Sequence, residues 1–180
     1  MAKQHSADCA VQQDDPLRAL GSAPGTYILL LHCARAATVD VGSLGGLRIT
    51  PGWYLYVGSA FGPGGVRARC RRHLHGGRPH WHLDYLRPLC RLQEIWYSHD
   101  PRRREHQWAA LLARRPSAHQ PFPGFGASDC DCPTHLFRFA RRPAFPKFRR
   151  EARKRLDGHL ALGQIQIEKA DHTPRCCSPI

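Results

Sequence analysis

Asparagine is absent from all 180 residues, and lysine is absent between residues 23 and 140. No run of about 18 apolar residues occurs, so no segment reads as a membrane-crossing helix. The first ten residues carry Lys3, His5 and Asp8 without a continuous apolar centre, and so do not read as a secretory signal. No Gly-Lys-Ser/Thr follows the glycine cluster at 62–65. That excludes a P-loop and leaves a turn ahead of a helix N-terminus, where a phosphate can sit. No internal repeat is visible. The expectation is a cytoplasmic protein with no membrane partner.

Cysteine and arginine are plentiful by contrast. The eight cysteines are Cys9, Cys33, Cys70, Cys90, Cys130, Cys132, Cys176 and Cys177. A chain of this length buries one real core and does not need staples. Reduced thiols are therefore the first expectation, and a disulfide framework the second. The net charge is +13. Residues 23–140 hold fifteen arginines and seven acids, a net +8, while residues 141–180 contribute +6 and residues 1–22 contribute −1. A basic fold followed by a basic segment fits a polyanionic partner, most simply nucleic acid; a basic surface that binds nothing is the plainer alternative.

Residues 1–22 are polar and read as disordered. An apolar run at 26–31 has strand length and is apolar on both faces, which predicts a central strand. Short strands at 38–41 and 47–50 flank a glycine-rich turn, which predicts a hairpin, and a further strand follows at 53–57. Val66, Cys70 and Leu74 recur every four residues, which predicts a helix over 66–74 with that stripe buried. A short helix within 79–86 and a strand at 92–97 come next. Asp100-Pro101 reads as a helix cap with a first-turn proline, opening a helix that runs to about residue 115. A loop at 121–126 leads to a last strand at 135–139. The domain is placed at 23–141, followed by a basic tail over 142–180 or, within it, a loosely docked helix at 151–162. The order predicts an α+β fold, a small mixed or antiparallel sheet covered by helices.

Two short patterns stand out on these elements. Gly25-Thr26-Tyr27 opens the first strand, and Tyr56-Val57-Gly58 lies on the next strong one. Arg67, Arg69, Arg71, Arg72 and His73 follow on the helix, and Glu105 follows later. This order resembles the GIY-YIG nuclease superfamily. The resemblance implies a metal-dependent endonuclease that hydrolyses DNA phosphodiester bonds. Such chemistry needs a base for water, a cation to hold the phosphoryl charge, and usually a metal. By resemblance Tyr27 is the base or passes a proton to one, with arginines lowering its pKa. Tyr56 and Gly58 complete the second motif. Arg69 binds the phosphate, with Arg67 as runner-up, and His73 is accessory. Arg71 and Arg72 are candidate backbone contacts. Glu105 is the expected ligand of Mg²⁺ or Mn²⁺; its spacing with Trp108, Ala109 and Leu112 puts it on the buried stripe, where an acid is costly without a cation.

Gly58-Ser59-Ala60, the segment His80-Trp81-His82-Leu83-Asp84-Tyr85-Leu86, and the segment from Gly124 through Asp129, Cys130, Cys132 and His135 to Phe137 are similar to one branch of that superfamily, domain of unknown function 123. Some members look fused to endonuclease-III-like repair enzymes, which implies DNA repair. Many better-studied relatives carry an asparagine near the end of the domain; this chain has none, and Asp129 or His135 is its candidate replacement. Cys130, Cys132 and His135 could instead bind a structural Zn²⁺, with Cys90, His80 or His82 as fourth ligand, although Cys-x-Cys is not the usual zinc spacing. Two further readings stay open beside the nuclease: a nucleic-acid-binding module that keeps the fold without the reaction, and a protein whose charge is incidental.

Overall fold

The apolar run that opens the domain becomes strand β1 (Gly25–Cys33), buried along nearly its whole length. In the computed structural model, which describes residues 15–76 and 82–167, β1 is the middle strand of a five-stranded sheet. The other strands are β4 (Gly52–Ala60), β5 (Arg91–Ser98), β6 (Leu136–Phe139) and β7 (Gly163–Gln166), in the order β6-β4-β1-β5-β7. All its pairings are antiparallel. The predicted hairpin is present as β2 (Ala37–Asp40) and β3 (Gly46–Ile49), which form a separate two-stranded sheet. The helices are α1 (Gly65–His75), α2 (His82–Leu86), α3 (Glu105–Ala113) and α4 (Phe145–Arg155). The fold is α+β, and its main sheet is antiparallel.

Alternation along β1 divides the core in two. Tyr27, Leu29 and Leu31 pack with Tyr54, Tyr56, Val66, Cys70 and Leu83 on the side of α1 and α2. Ile28 and Leu30 pack with Leu55, Val57, Trp96, Trp108 and Phe148 on the side of α3 and α4. A strand buried on both faces must be apolar on both, which is why the run at 26–31 shows no alternation. Each such aliphatic side chain contributes about 1.5–3 kcal/mol by leaving water.

Several elements differ from expectation. Leu17 and Leu20, beside a short 3-10 turn at Arg18–Leu20, are fully buried in the α1-side core; the rest of the segment read as disordered, residues 1–14, lies outside the described residues. Asp100 does not cap α3. It accepts the Arg102 N–H at 2.9 Å and the Arg104 Nε–H at 2.8 Å, so it closes a turn and a buried ion pair, and the helix opens only at Glu105.

The segment after residue 141 carries structure of its own. Phe145, Phe148 and Ala152 bury one face of α4 against Trp96 and Trp108. Glu94 of β5 accepts hydrogen bonds from Trp96 Nε1 at 2.7 Å and Gln164 Nε2 at 2.6 Å, and pairs with Arg142, which ties this segment to the sheet. Of the cysteines expected to be reduced, Cys33 and Cys90 form a disulfide. The β1–β5 register pairs His32 with Arg91, so its next step brings these two cysteines face to face. Cys70, Cys130 and Cys132 are free thiols. Among the described residues no helix is long and apolar enough to cross a membrane.

Candidate active site

The two motifs meet through strand register. Tyr27 on β1 opposes Gly58 on β4. A Cβ at position 58 would lie 2.5 Å from the Tyr27 hydroxyl oxygen and 2.6 Å from its Cζ, so only glycine lets the phenol lie across the neighbouring strand. Tyr56 is two residues earlier on β4 and so on the same face. Its ring meets Phe125 edge-on at 6.2 Å. Gly126 at φ 71° brings its backbone close under the Tyr56 ring, where a Cβ would come within 2.8 Å.

Both tyrosines border a cavity of about 230 Å³, together with Arg69, His73 and Glu105. These five residues are the ones the sequence put forward for catalysis. His73 lies on the last turns of α1 and is 2% exposed. Its Nε2 is 2.9 Å from the Tyr27 hydroxyl, and its Nδ1 is 3.6 Å from Oδ1 of Asp84 on α2. Burial lowers the pKa of His73, and Asp84 partly opposes that shift. A neutral imidazole with its Nδ1–H toward Asp84 leaves Nε2 to accept from the Tyr27 O–H. The acid behind His73, Asp84, was not singled out from sequence; its place in the segment at residues 80–86 was the available signal.

Tyr27 itself departs from expectation. Burial pushes its pKa well above that of a free phenol, Tyr56 and Cys70 push it further, and Arg69 only partly offsets them. Burial likewise raises Tyr56, again against Arg69. Both are neutral phenols at pH 7, so burial opposes a free phenolate at either position.

The arginines separate by position. Arg69 lines the cavity, and the runner-up Arg67 is not among its lining residues. Arg71 pairs with Asp15, and Arg72 lies 3.9 Å from Asp84. The side chain of Glu105, at the first position of α3, is 13% exposed and 3.6 Å from Nε2 of His106. Its oxygens face the same cavity as Asp129. Oxygen donors of this kind suit a hard divalent cation such as Mg²⁺ or Mn²⁺.

The loop at residues 122–135 forms another wall, through Gly126, Ser128, Asp129 and His135. Its start packs on the α2 segment: His82 Nδ1 accepts the Gly126 N–H at 3.0 Å, and the His82 and Phe125 rings lie 5.5 Å apart. Neither His82 nor Cys90, which is disulfide-bonded, falls in the group of donors around Cys130, Cys132 and His135. His80, the remaining proposed ligand, lies outside the described residues. The residue that joins the three is His106, which sequence reasoning missed. One donor atom from each of the four falls within 4.8 Å of the others. The signal for His106 was its place directly after Glu105, though nothing in its spacing pointed to a loop more than twenty residues later.

The family model described as "Domain of unknown function DUF123" matches residues 26–157. The match takes in all five cavity residues named above, Asp84, and the four residues of the His/Cys cluster. No curated protein and no solved structure matches the chain.

Proposed function

This chain belongs to the family described as Domain of unknown function DUF123, and we propose that it is a metal-dependent endonuclease of the GIY-YIG type that hydrolyses DNA phosphodiester bonds. The observation that carries the reading is convergence. Tyr27, Tyr56, Arg69, His73 and Glu105 come from two strands and two helices, yet border one polar cavity. A set scattered over nearly eighty residues of sequence has no packing reason to gather acids, bases and a cation around open space.

The residues divide the work. Tyr27 takes a proton from the attacking water while its own passes to His73 Nε2, so no free phenolate forms. Asp84 stabilises the imidazolium that results. The hydroxide attacks phosphorus, and the leaving oxygen is protonated from solvent. Arg69 holds the non-bridging oxygens as their charge grows. Glu105, with Asp129 bordering the same cavity, would hold Mg²⁺ or Mn²⁺, which supplies Lewis-acid stabilisation of the phosphoryl and leaving oxygens. Tyr56 shapes the wall over Gly126. Arg67, Arg71 and Arg72 extend the basic surface along α1 for the DNA backbone. A task in DNA repair goes with this reading.

One observation favours a second reading. The chain has no asparagine, and a non-catalytic module could keep the cavity for binding alone. Purified protein is incubated with nicked, branched, abasic and plain DNA in Mg²⁺ or Mn²⁺. The nuclease reading expects cleavage of at least one substrate, lost in Glu105→Gln with binding retained. Salt-sensitive, metal-independent binding without cleavage would favour the module. No binding to any nucleic acid would leave the charge incidental.

A further inference from the structure

The His/Cys cluster lies behind the cavity rather than in it, apart from His135, and the nuclease reading gives its thiols no task. We propose that His106, Cys130, Cys132 and His135 bind one structural Zn²⁺ that clamps the start of α3 to the 122–135 loop and holds the Glu105 carboxylate at the cavity wall.

The donor set is the first argument. Two thiols and two imidazoles are the ligands of closed tetrahedral zinc sites. With zinc–sulfur bonds of about 2.3 Å and zinc–nitrogen bonds of about 2.0–2.1 Å, such a site places its donors roughly 3.3–3.8 Å apart. His106 Nδ1 lies 3.2 Å from Cys132 Sγ, and His135 Nε2 lies 3.6 Å from Cys130 Sγ. All four donors fall within 4.8 Å of one another, so closure requires movement of about an ångström at most.

The outer contacts are the second argument. A metal-bound histidine usually engages a carboxylate or backbone group through its other nitrogen. His106 presents Nδ1 to the cluster and Nε2 to Glu105 Oε1 at 3.6 Å. His135 presents Nε2 to the cluster, and its side chain also bonds the Gly126 backbone. Each imidazole is thus already oriented for a metal.

The loop that carries three of the ligands is anchored at its two ends, by buried Phe125 and by Thr134 and His135, and not in its middle. His135 N–H donates to Phe125 O at 2.8 Å, and Gly124 N–H donates to Pro133 O at 2.7 Å, while residues 128–132 hold no regular structure. Metal binding would supply the order that the short loop lacks. The zinc stands independently of the nuclease reading; its effect on Glu105 rests on that reading.

Two readouts keep these apart. Protein produced with zinc is assayed for bound metal, and the metal-free chain is titrated with Co²⁺ as a spectroscopic probe. The expected result is about one zinc per chain, with thiolate-to-cobalt charge transfer and the bands of a tetrahedral centre. Cys130→Ser/Cys132→Ser should lose both, and Cys70→Ala should keep both. Metal well below one per chain, or an unchanged cobalt spectrum in the double variant, would overturn the site. The second readout is Mn²⁺ affinity of the zinc-loaded protein, expected to fall about tenfold or more in His106→Gln. Unchanged affinity would remove the link to Glu105 while the stoichiometry still decides the zinc.

Discussion

Each face of the central sheet buries an aromatic ring that is hydrogen-bonded to a histidine. On one face the Tyr27 hydroxyl meets His73 Nε2 at 2.9 Å; on the other, Trp108 Nε1 donates to His159 Nε2 at 2.8 Å. The two pairs differ in what surrounds them. The His159 ring lies nearly in the plane of the indole, 10° from it and edge to edge, and Phe148 closes the indole from another side at 5.2 Å. Tyr27 and His73 instead border open space shared with Arg69 and Glu105. A buried aromatic–histidine bond is therefore no sign of catalysis by itself. What distinguishes the first pair is a cavity with charges of both signs and a carboxylate, Asp84, behind the histidine.

Single substitutions can break the comparison. Tyr27→Phe keeps the ring and removes the transferable proton. Cleavage should fall about 10²–10⁴-fold, with the melting temperature nearly unchanged. Trp108→Ala should do the reverse. It costs about 3–5 kcal/mol of stability, read by denaturant unfolding, while the folded fraction still cleaves. Between them lies Gly58→Ala. Its Cβ would press on Tyr27, with a stability cost of about 1–3 kcal/mol and a loss of activity beyond what unfolding explains.

The smallest effect is in pH. Burial holds both His73 and His159 below the usual histidine value of 6.5. The unfolded chain therefore takes up their protons first. Their stabilising contribution is complete above about 6.5 and is lost as pH falls through the lower folded values. Cleavage should follow the same acid limb, because His73 must be neutral to accept the Tyr27 proton. His159→Gln should flatten the limb of stability and leave the limb of activity in place.

How much of this could be read from sequence depended on where a residue's partners lie. The core of the sheet was legible because 26–31 and 53–57 are apolar runs and α1 carries its stripe at regular spacing. Tyr27, Tyr56 and Gly58 were legible through the order of the motifs, whereas the opposition of Tyr27 and Gly58 came only with the strand register. Asp100-Pro101 misled, since its side chain spends its acceptors on Arg102 and the Arg104 guanidinium rather than on a helix end. Strand β7, Gly163–Gln166, was hidden by its polar alternation at a sheet edge. The face of α4 was masked by the arginines and lysines between Phe145, Phe148 and Ala152. His106 and Asp84 could not be placed, because their roles arise from the loop and helix packed against them.

The most direct test is cleavage of nicked, branched, abasic and plain DNA by wild-type protein and Glu105→Gln, side by side in Mn²⁺ and in chelator. The account predicts metal-dependent cuts by the wild type, none by the variant, and similar DNA binding by both. Cleavage that survives the variant or the chelator, or no cleavage at all by the wild type, would contradict it.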